Sequence, residues 1–191
     1  MASMEAVLEQ LTHLTRAKAQ DRSPVIVAID GRCGAGKSTL ASALAERLDA
    51  NLIHMDDFFL RPEQRTPERL AIPGENIDHE RFLSEVLIPL REGASFTYRP
   101  FSCERGELTA PVAVSPRAVT IVEGSYACHP ALRAYYDLRL FLTVEPEEQM
   151  RRLRARNGEY AEVFRQKWIP LEEAYFSGGG VEACCDMILG E

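Results

Sequence analysis

The chain has 191 residues, 46% of them hydrophobic and 27% charged, the size and composition of one soluble globular domain. Acidic residues outnumber basic ones 29 to 22, a formal charge of -7, which argues against an extended nucleic-acid surface held by phosphate contacts. The longest aliphatic run, Val25 to Ile29, is far short of the roughly 20 apolar residues that cross a bilayer. Glu5 and Glu9 break the N-terminus, so it lacks the form of a secretory signal, and five cysteines without C-x-x-C spacing predict neither a disulfide framework nor a structural zinc site. The expectation is a cytoplasmic protein with no membrane and no nucleic-acid partner.

Val7, Leu8, Leu11 and Leu14 share one helical face, predicting an amphipathic helix within residues 1–20 on the outside of the domain. Pro24 introduces Val25 to Ile29, a continuous apolar run typical of a parallel strand buried on both faces. A glycine-rich turn follows, and from Lys37 onward Leu40, Leu44 and Leu48 recur with helical spacing. Asn51 to Met55 reads as a second strand, and Phe82 to Leu90 as a helix ending near Gly93. Ser95 to Tyr98 and Leu108 to Val114 flank a polar turn, predicting a β-hairpin inserted over 94–114. Val119 to Val122 and Leu138 to Leu142 are further strands, Pro146 opens a helix ending around Asn157-Gly158, and Cys185 to Leu189 can supply a last strand. Phe164, Trp168 and Tyr175 fall near helical spacing as core residues or as a border of an acceptor pocket, with Pro170 expected to kink or interrupt their helix. His129 and the pair Cys184-Cys185 have no partner at metal-ligand spacing and read as structural. The alternation predicts an α/β fold over 1–191 as a single domain, its mostly parallel central sheet covered by helices on both faces.

The chemistry concentrates in Gly31-Arg32-Cys33-Gly34-Ala35-Gly36-Lys37-Ser38, which matches G-x-x-x-x-G-K-[ST] with a strand before it and a helix after it. Glycines let the backbone wrap around phosphate oxygens with its N–H groups inward, Lys37 brings a compact positive charge, and the Ser38 hydroxyl can ligate Mg²⁺. Residues 31 to 39, Thr39 included, are therefore expected to bind a nucleoside triphosphate in a three-layer P-loop NTPase fold. The guanine-reading N-K-x-D pattern is missing, since none of Asn51, Asn76 and Asn157 precedes lysine, which disfavours a regulatory GTPase.

Beyond that loop stand His54-Met55-Asp56-Asp57-Phe58-Phe59, Asn76-Ile77-Asp78-His79, Tyr98 with Arg105, and Val122-Glu123-Gly124, in that order. From about Val25 to Phe176 the chain thereby resembles the uridine kinase family, which groups with phosphoribulokinase-like P-loop kinases. The resemblance implies ATP as phosphoryl donor, Mg²⁺ as cofactor and a small-molecule hydroxyl compound as acceptor. It implies Asp56 as the base, and Asp56, Phe59, Asp78, Tyr98 and Arg105 as acceptor contacts. Ser38 and Glu123 would lie at the metal, and Arg152 and Arg156 in a lid over 151–160 that closes on the phosphates with Lys37. An N-cap role for Asp78 stands beside the substrate role. Two departures bear on specificity: Arg99 replaces an aspartate, and Cys103 stands where pyrimidine nucleoside kinases carry a base-reading histidine. A thiol pairs poorly with a pyrimidine edge, so a different nucleoside, a sugar or a vitamin precursor is expected. The reading from another class is a regulatory nucleotide-binding protein with slow ATPase activity. ATP against GTP, the acceptor's identity and any homo-oligomer stay open at this level.

Overall fold

The computed structural model describes residues 3–190; residues 1, 2 and 191, at the ends of the expected domain, lie outside the described residues. Helix α1 (Met4–Asp21) starts at Ser3, whose hydroxyl accepts the Ala6 N–H, and buries Leu8 and Leu11. Strand β1 (Val25–Gly31) is buried along its whole length and feeds α2 (Lys37–Leu48). Strand β2 (Asn51–His54) stops one residue early, because Met55–Phe58 turns into a 3-10 helix that carries Asp56 and Asp57. After the short α3 (Pro67–Leu70), the helix over 79–91 opens as α4 (His79–Phe82), widens into a π-turn at Leu83–Leu87 and closes as α5 (Ile88–Arg91).

The inserted segment forms a hairpin of two short antiparallel ladders: β3 (Phe96–Tyr98) pairs with β6 (Val112–Val114), and β4 (Phe101–Ser102) with β5 (Glu107–Leu108). Pro100 and Pro111 cannot donate to a ladder, and the break falls between them. Arg99 bridges it, donating to the carbonyls of Thr109 (2.7 Å) and Leu108 (2.8 Å). The chain then returns to the main sheet as β7 (Val119–Glu123) and β8 (Leu138–Thr143), followed by α6 (Pro146–Asn157), α7 (Ala161–Val163), α8 (Ile169–Gly179), α9 (Val181–Cys184) and β9 (Met187–Gly190).

Pro170 does not interrupt its helix. A second π-turn, Phe164–Trp168, precedes it just as the first precedes Pro89, and helix continues to Gly179. Proline lacks the N–H and its ring crowds the carbonyl four residues back, so a turn widened to five residues lets the helix pass.

The main sheet has the order β2-β7-β1-β8-β9, all parallel, with β1 at its centre. Side chains alternate across a strand, so Val25, Val27 and Ile29 pack on one face with Leu8, Leu11, Leu40 and Leu44 of α1 and α2. Ile26 and Ala28 face the other layer, where Phe58, Phe82, Phe141 and Tyr175 are fully buried. Each such side chain contributes about 1.5–3 kcal/mol by leaving water. Three layers result, with the carboxyl ends of β1, β2 and β7 on one edge. Among the described residues no helix is long and apolar enough to cross a membrane.

Candidate functional site at the sheet edge

At Gly31 the backbone adopts φ +130°, and a Cβ there would lie 2.0 Å from the Leu142 carbonyl oxygen of β8. Only glycine lets β1 turn into the loop while staying beside β8. The preceding Asp30, fully buried, accepts from the N–H groups of Gly31 (2.7 Å), Tyr126 (3.2 Å) and Cys128 (2.8 Å) and from the Tyr175 hydroxyl (2.8 Å). It ties the loop, the segment after β7 and α8 into one unit and holds Tyr126 at φ +75°, a left-handed conformation rare for a residue with a side chain. Burial pushes the Asp30 carboxyl above its ordinary range against the pull of those donors.

The Lys37 ammonium lies across the loop, donating to the carbonyls of Gly31 (2.7 Å) and Arg32 (3.0 Å). Ser38, at the start of α2, donates its hydroxyl to the Glu123 carboxylate at 3.2 Å. His54 Nδ1 stands 2.6 Å from Glu123 Oε1, and that contact raises the imidazole's pKa. Gly124 sits at φ +137°, and a Cβ on it would be 3.0 Å from Met55 Cβ and 3.4 Å from Asp56 Oδ1. Its missing side chain thus lets Asp56 stand close to the end of β7. Asp56 opens into a cleft but is walled by protein, and this desolvation raises its pKa; Lys37 opposes the shift and Glu123 adds to it. Asp57 points elsewhere and accepts from the Tyr98 hydroxyl at 3.1 Å.

The remaining loop residues divide. Arg32 turns away from the cleft, paired with Glu173 (2.7 Å), bonded to Thr143 and lying over Phe141. Cys33 packs its sulfur beside Leu153 and Ala161, and burial pushes its thiol up to about 12, which leaves it un-ionised at neutral pH. Its amide N–H donates to Glu172 Oε2 (3.0 Å), while Glu172 Oε1 accepts from Ser125 (2.6 Å). A buried carboxyl group from α8 therefore already occupies one amide N–H of the loop. From α6, Arg152 bonds Glu148 (2.7 Å) and the Gly34 carbonyl (3.2 Å). Arg156 bonds Asn157 (2.9 Å) and lies over Phe164.

A cleft of about 1190 Å³ gathers Gly34, Gly36, Lys37, Ser38, Thr39, Asp56, Phe59, Glu123, Arg152 and Arg156 on its walls. Gly31, Arg32 and Ala35 shape the loop without lining it, and Cys103 does line it. Three residues expected at the acceptor stand elsewhere. Asp78 caps α4, accepting the Arg81 N–H (3.1 Å) and the Gln64 amide (2.9 Å), and is buried by both. Tyr98 is buried against Phe58 with its hydroxyl on Asp57, and Arg105 is exposed at the hairpin turn. The aromatic trio also separates: Tyr175 is core, whereas Phe164 and Trp168 border the cleft. His129 does have neighbours at ligand distance, stacking on His79 (4.3 Å between centroids) with Glu75 beside both. Asp30 and Glu172 were not singled out by sequence reasoning. An acidic residue inside the apolar run Val25 to Ile29-Asp30 is a visible signal for the first; nothing local marks the second, 139 residues from its partner.

No protein-family model matches the chain. Solved structures do. A candidate fructose transport system kinase from Silicibacter sp. TM1040 superposes with a TM-score of 0.73 at 26% identity, covering 98% of this chain and 99% of that one. A candidate uridine kinase from Bacillus stearothermophilus gives 0.67 at 16% identity over 94% and 99%. The fold is that of the uridine kinase-like P-loop kinases. A third structure with this kinase fold, YFH7 from Saccharomyces cerevisiae, described as a P-loop kinase candidate with a circular permutation, gives 0.68 at 14% identity over 100% and 99%. The cleft lies at the carboxyl edge of the parallel sheet, the edge at which open α/β sheets bind ligands.

Proposed function

We propose that the chain is an ATP-dependent kinase that transfers the γ-phosphoryl group to a hydroxyl of a small molecule. The observation that carries this reading is the convergence of Lys37, Ser38, Glu123 and Asp56 on one cleft in this kinase fold. The candidate fructose transport system kinase and the candidate uridine kinase support a phosphotransferase acting on small molecules.

In this reading the loop amides and Lys37 hold the donor's phosphates, and Arg152 and Arg156, one helical turn apart on α6, neutralise charge on the transferred group. Ser38 and Glu123, hard oxygen donors already in contact, fit a Mg²⁺ ion and would hold it; bound there, it would supply positive charge that offsets the charge of the donor's phosphates. Asp56 accepts the proton of the attacking hydroxyl as the new P–O bond forms, while the bond to the bridging oxygen breaks and ADP leaves. A carboxylate whose pKa burial raises suits this step, being a stronger base than an ordinary aspartate. Phe59 lies on the acceptor side of Asp56, whereas Asp78 and Tyr98 act through the structure that positions it. In this reading the chain is a cytoplasmic enzyme whose partner is its acceptor.

The test is ATP consumption with Mg²⁺ across nucleosides, sugars and other alcohols, wild type beside Asp56→Asn. Acceptor-dependent turnover that drops about 10³-fold in the variant, with nucleotide affinity unchanged, is expected. Turnover unaffected by Asp56→Asn overturns the base assignment.

A further inference from the structure

Polar groups crowd one end of the cleft, and the other end is walled by hydrocarbon. Phe59, Leu70, Ile72 and Pro73 supply one side, Trp168 and Leu171 the other. The first wall is fixed from below: Phe59 bridges Ile77, and the Leu60 N–H donates to the Asn76 carbonyl (3.3 Å). Trp168, which caps the start of α8, and Leu171 in its first turn are three residues apart, while the next residue, Glu172, reaches the loop. Further along α8, Gly178 comes so near Pro73 that a Cβ there would lie 3.4 Å from it, which sets the spacing of the two walls. Leu70 and Ile72 remain 44% and 57% exposed although both line the cleft, so a ligand in this half covers apolar surface that the chain itself leaves open.

Polar side chains also line the cleft: Gln166 and Lys167 immediately precede Trp168, with the Lys167 ammonium 4.6 Å from the centre of its ring. Arg65 already donates its Nε to the Leu60 carbonyl (2.9 Å) and lies over Phe101; Asn76 stands beside Tyr126; Cys103 offers only a thiol. These can pair some polar groups of a ligand, but a hydroxyl set against Leu70, Ile72, Pro73 or Leu171 stays unpaired, and each one lowers affinity by roughly five- to hundred-fold.

We propose that the phosphoryl acceptor is an alcohol with an apolar body, aliphatic or aromatic, which seats between the 70–73 wall and Trp168-Leu171 and presents its hydroxyl to Asp56. The proposal rests on the kinase reading for the identity of the polar end. It separates this chain from an enzyme for a free hexose, and from one that reads a pyrimidine edge.

The chain has one tryptophan, Trp168, so its emission reports on this wall alone. Hexane-1,2-diol, 3-phenylpropane-1,2-diol, D-fructose and uridine are titrated into protein saturated with MgADP, by calorimetry and by Trp168 emission. At least one of the two apolar diols is expected to bind tenfold or more tightly than fructose and uridine and to shift the emission. Ile72→Ser, at a position that contributes little to the core because it is 57% exposed, is expected to lower that diol's affinity at least fivefold while ADP affinity stays unchanged. Equal or tighter binding of fructose or uridine, no binding of either diol, or an Ile72→Ser variant with undiminished diol affinity overturns the proposal. The kinase reading is scored separately, by ADP binding and by ATP consumption with the bound diol. A diol that binds as expected but receives no phosphoryl group counts against the kinase reading and leaves the affinity order standing.

Discussion

The two ends of the cleft are built by opposite means. The phosphate end comes from contiguous sequence, eight residues from Gly31 to Ser38 between a buried strand and a helix, joined by Glu123 at a neighbouring strand end. The acceptor end is assembled from the turn after α3, the 3-10 segment after β2 and the face of α8, which lie far apart in the chain. Phosphate is a fixed chemical target that one loop geometry satisfies, so its receptor is local and recognisable. An acceptor varies in shape, and its receptor is made by tertiary packing of loops that carry no motif.

Damage at the phosphate end should have the larger effects. Beyond the loss expected for Asp56→Asn, Lys37→Ala should weaken nucleotide binding and turnover together, by about 10²-fold each, because a charge-assisted contact to the phosphates is removed; nucleotide titration beside steady-state kinetics checks this. Asp56 also fixes a pH limb. A base must be ionised, and its pKa is raised, so kcat should fall on acidification at a pH above the ordinary aspartate value near 3.9. The same raised pKa means that the folded chain disfavours the charge, so Asp56→Asn should melt at a higher temperature than wild type at pH 7.

Next in size is a structural break where β1 turns into the loop. Gly31→Ala forces a methyl group to within 2.0 Å of the Leu142 carbonyl and should cost about 3 kcal/mol or more in urea unfolding, with β1 and β8 pushed apart.

Outside the cleft, in the cluster with His79 and Glu75, burial lowers the pKa of His129 to about 4, with His79 and Arg133 adding to the effect. Its unfolded value lies near 6.5, so the unfolded chain takes up the proton first as pH falls. The stability that His129 contributes is present above about pH 6.5 and is lost progressively toward pH 4, on the order of 2–3 kcal/mol in all. Urea midpoints at pH 7.5 and 4.5 should therefore differ less in His129→Gln than in wild type. The smallest effect is expected at Arg105, exposed at the hairpin turn: Arg105→Ala should change KM for the acceptor by less than about twofold, and a larger change would place the hairpin tip on the bound acceptor.

Sequence reading reached the sheet well because fully buried parallel strands announce themselves as apolar runs. Val25 to Ile29, Val119 to Val122 and Leu138 to Leu142 were all legible, as was the helix from Pro146 to Asn157. Pro170 misled, since a proline's effect depends on whether the turn before it can widen. Asp78 illustrates a motif residue whose oxygens are engaged by its own helix start and by Gln64, a matter of packing and not of residue type.

By itself the sequence determined the layered α/β architecture, the position of the glycine-rich loop between strand and helix, and the acidic residues at strand ends, because periodicity and glycine-lysine spacing act over a few residues. Only the tertiary structure decided that Glu172 holds the Cys33 amide, that Asp30 gathers three amides and a tyrosine, that His129 meets His79 and Glu75, and that α8 faces the 70–73 turn across an apolar gap. Those contacts join residues tens of positions apart, and their energy depends on burial and distance, which a linear pattern does not encode.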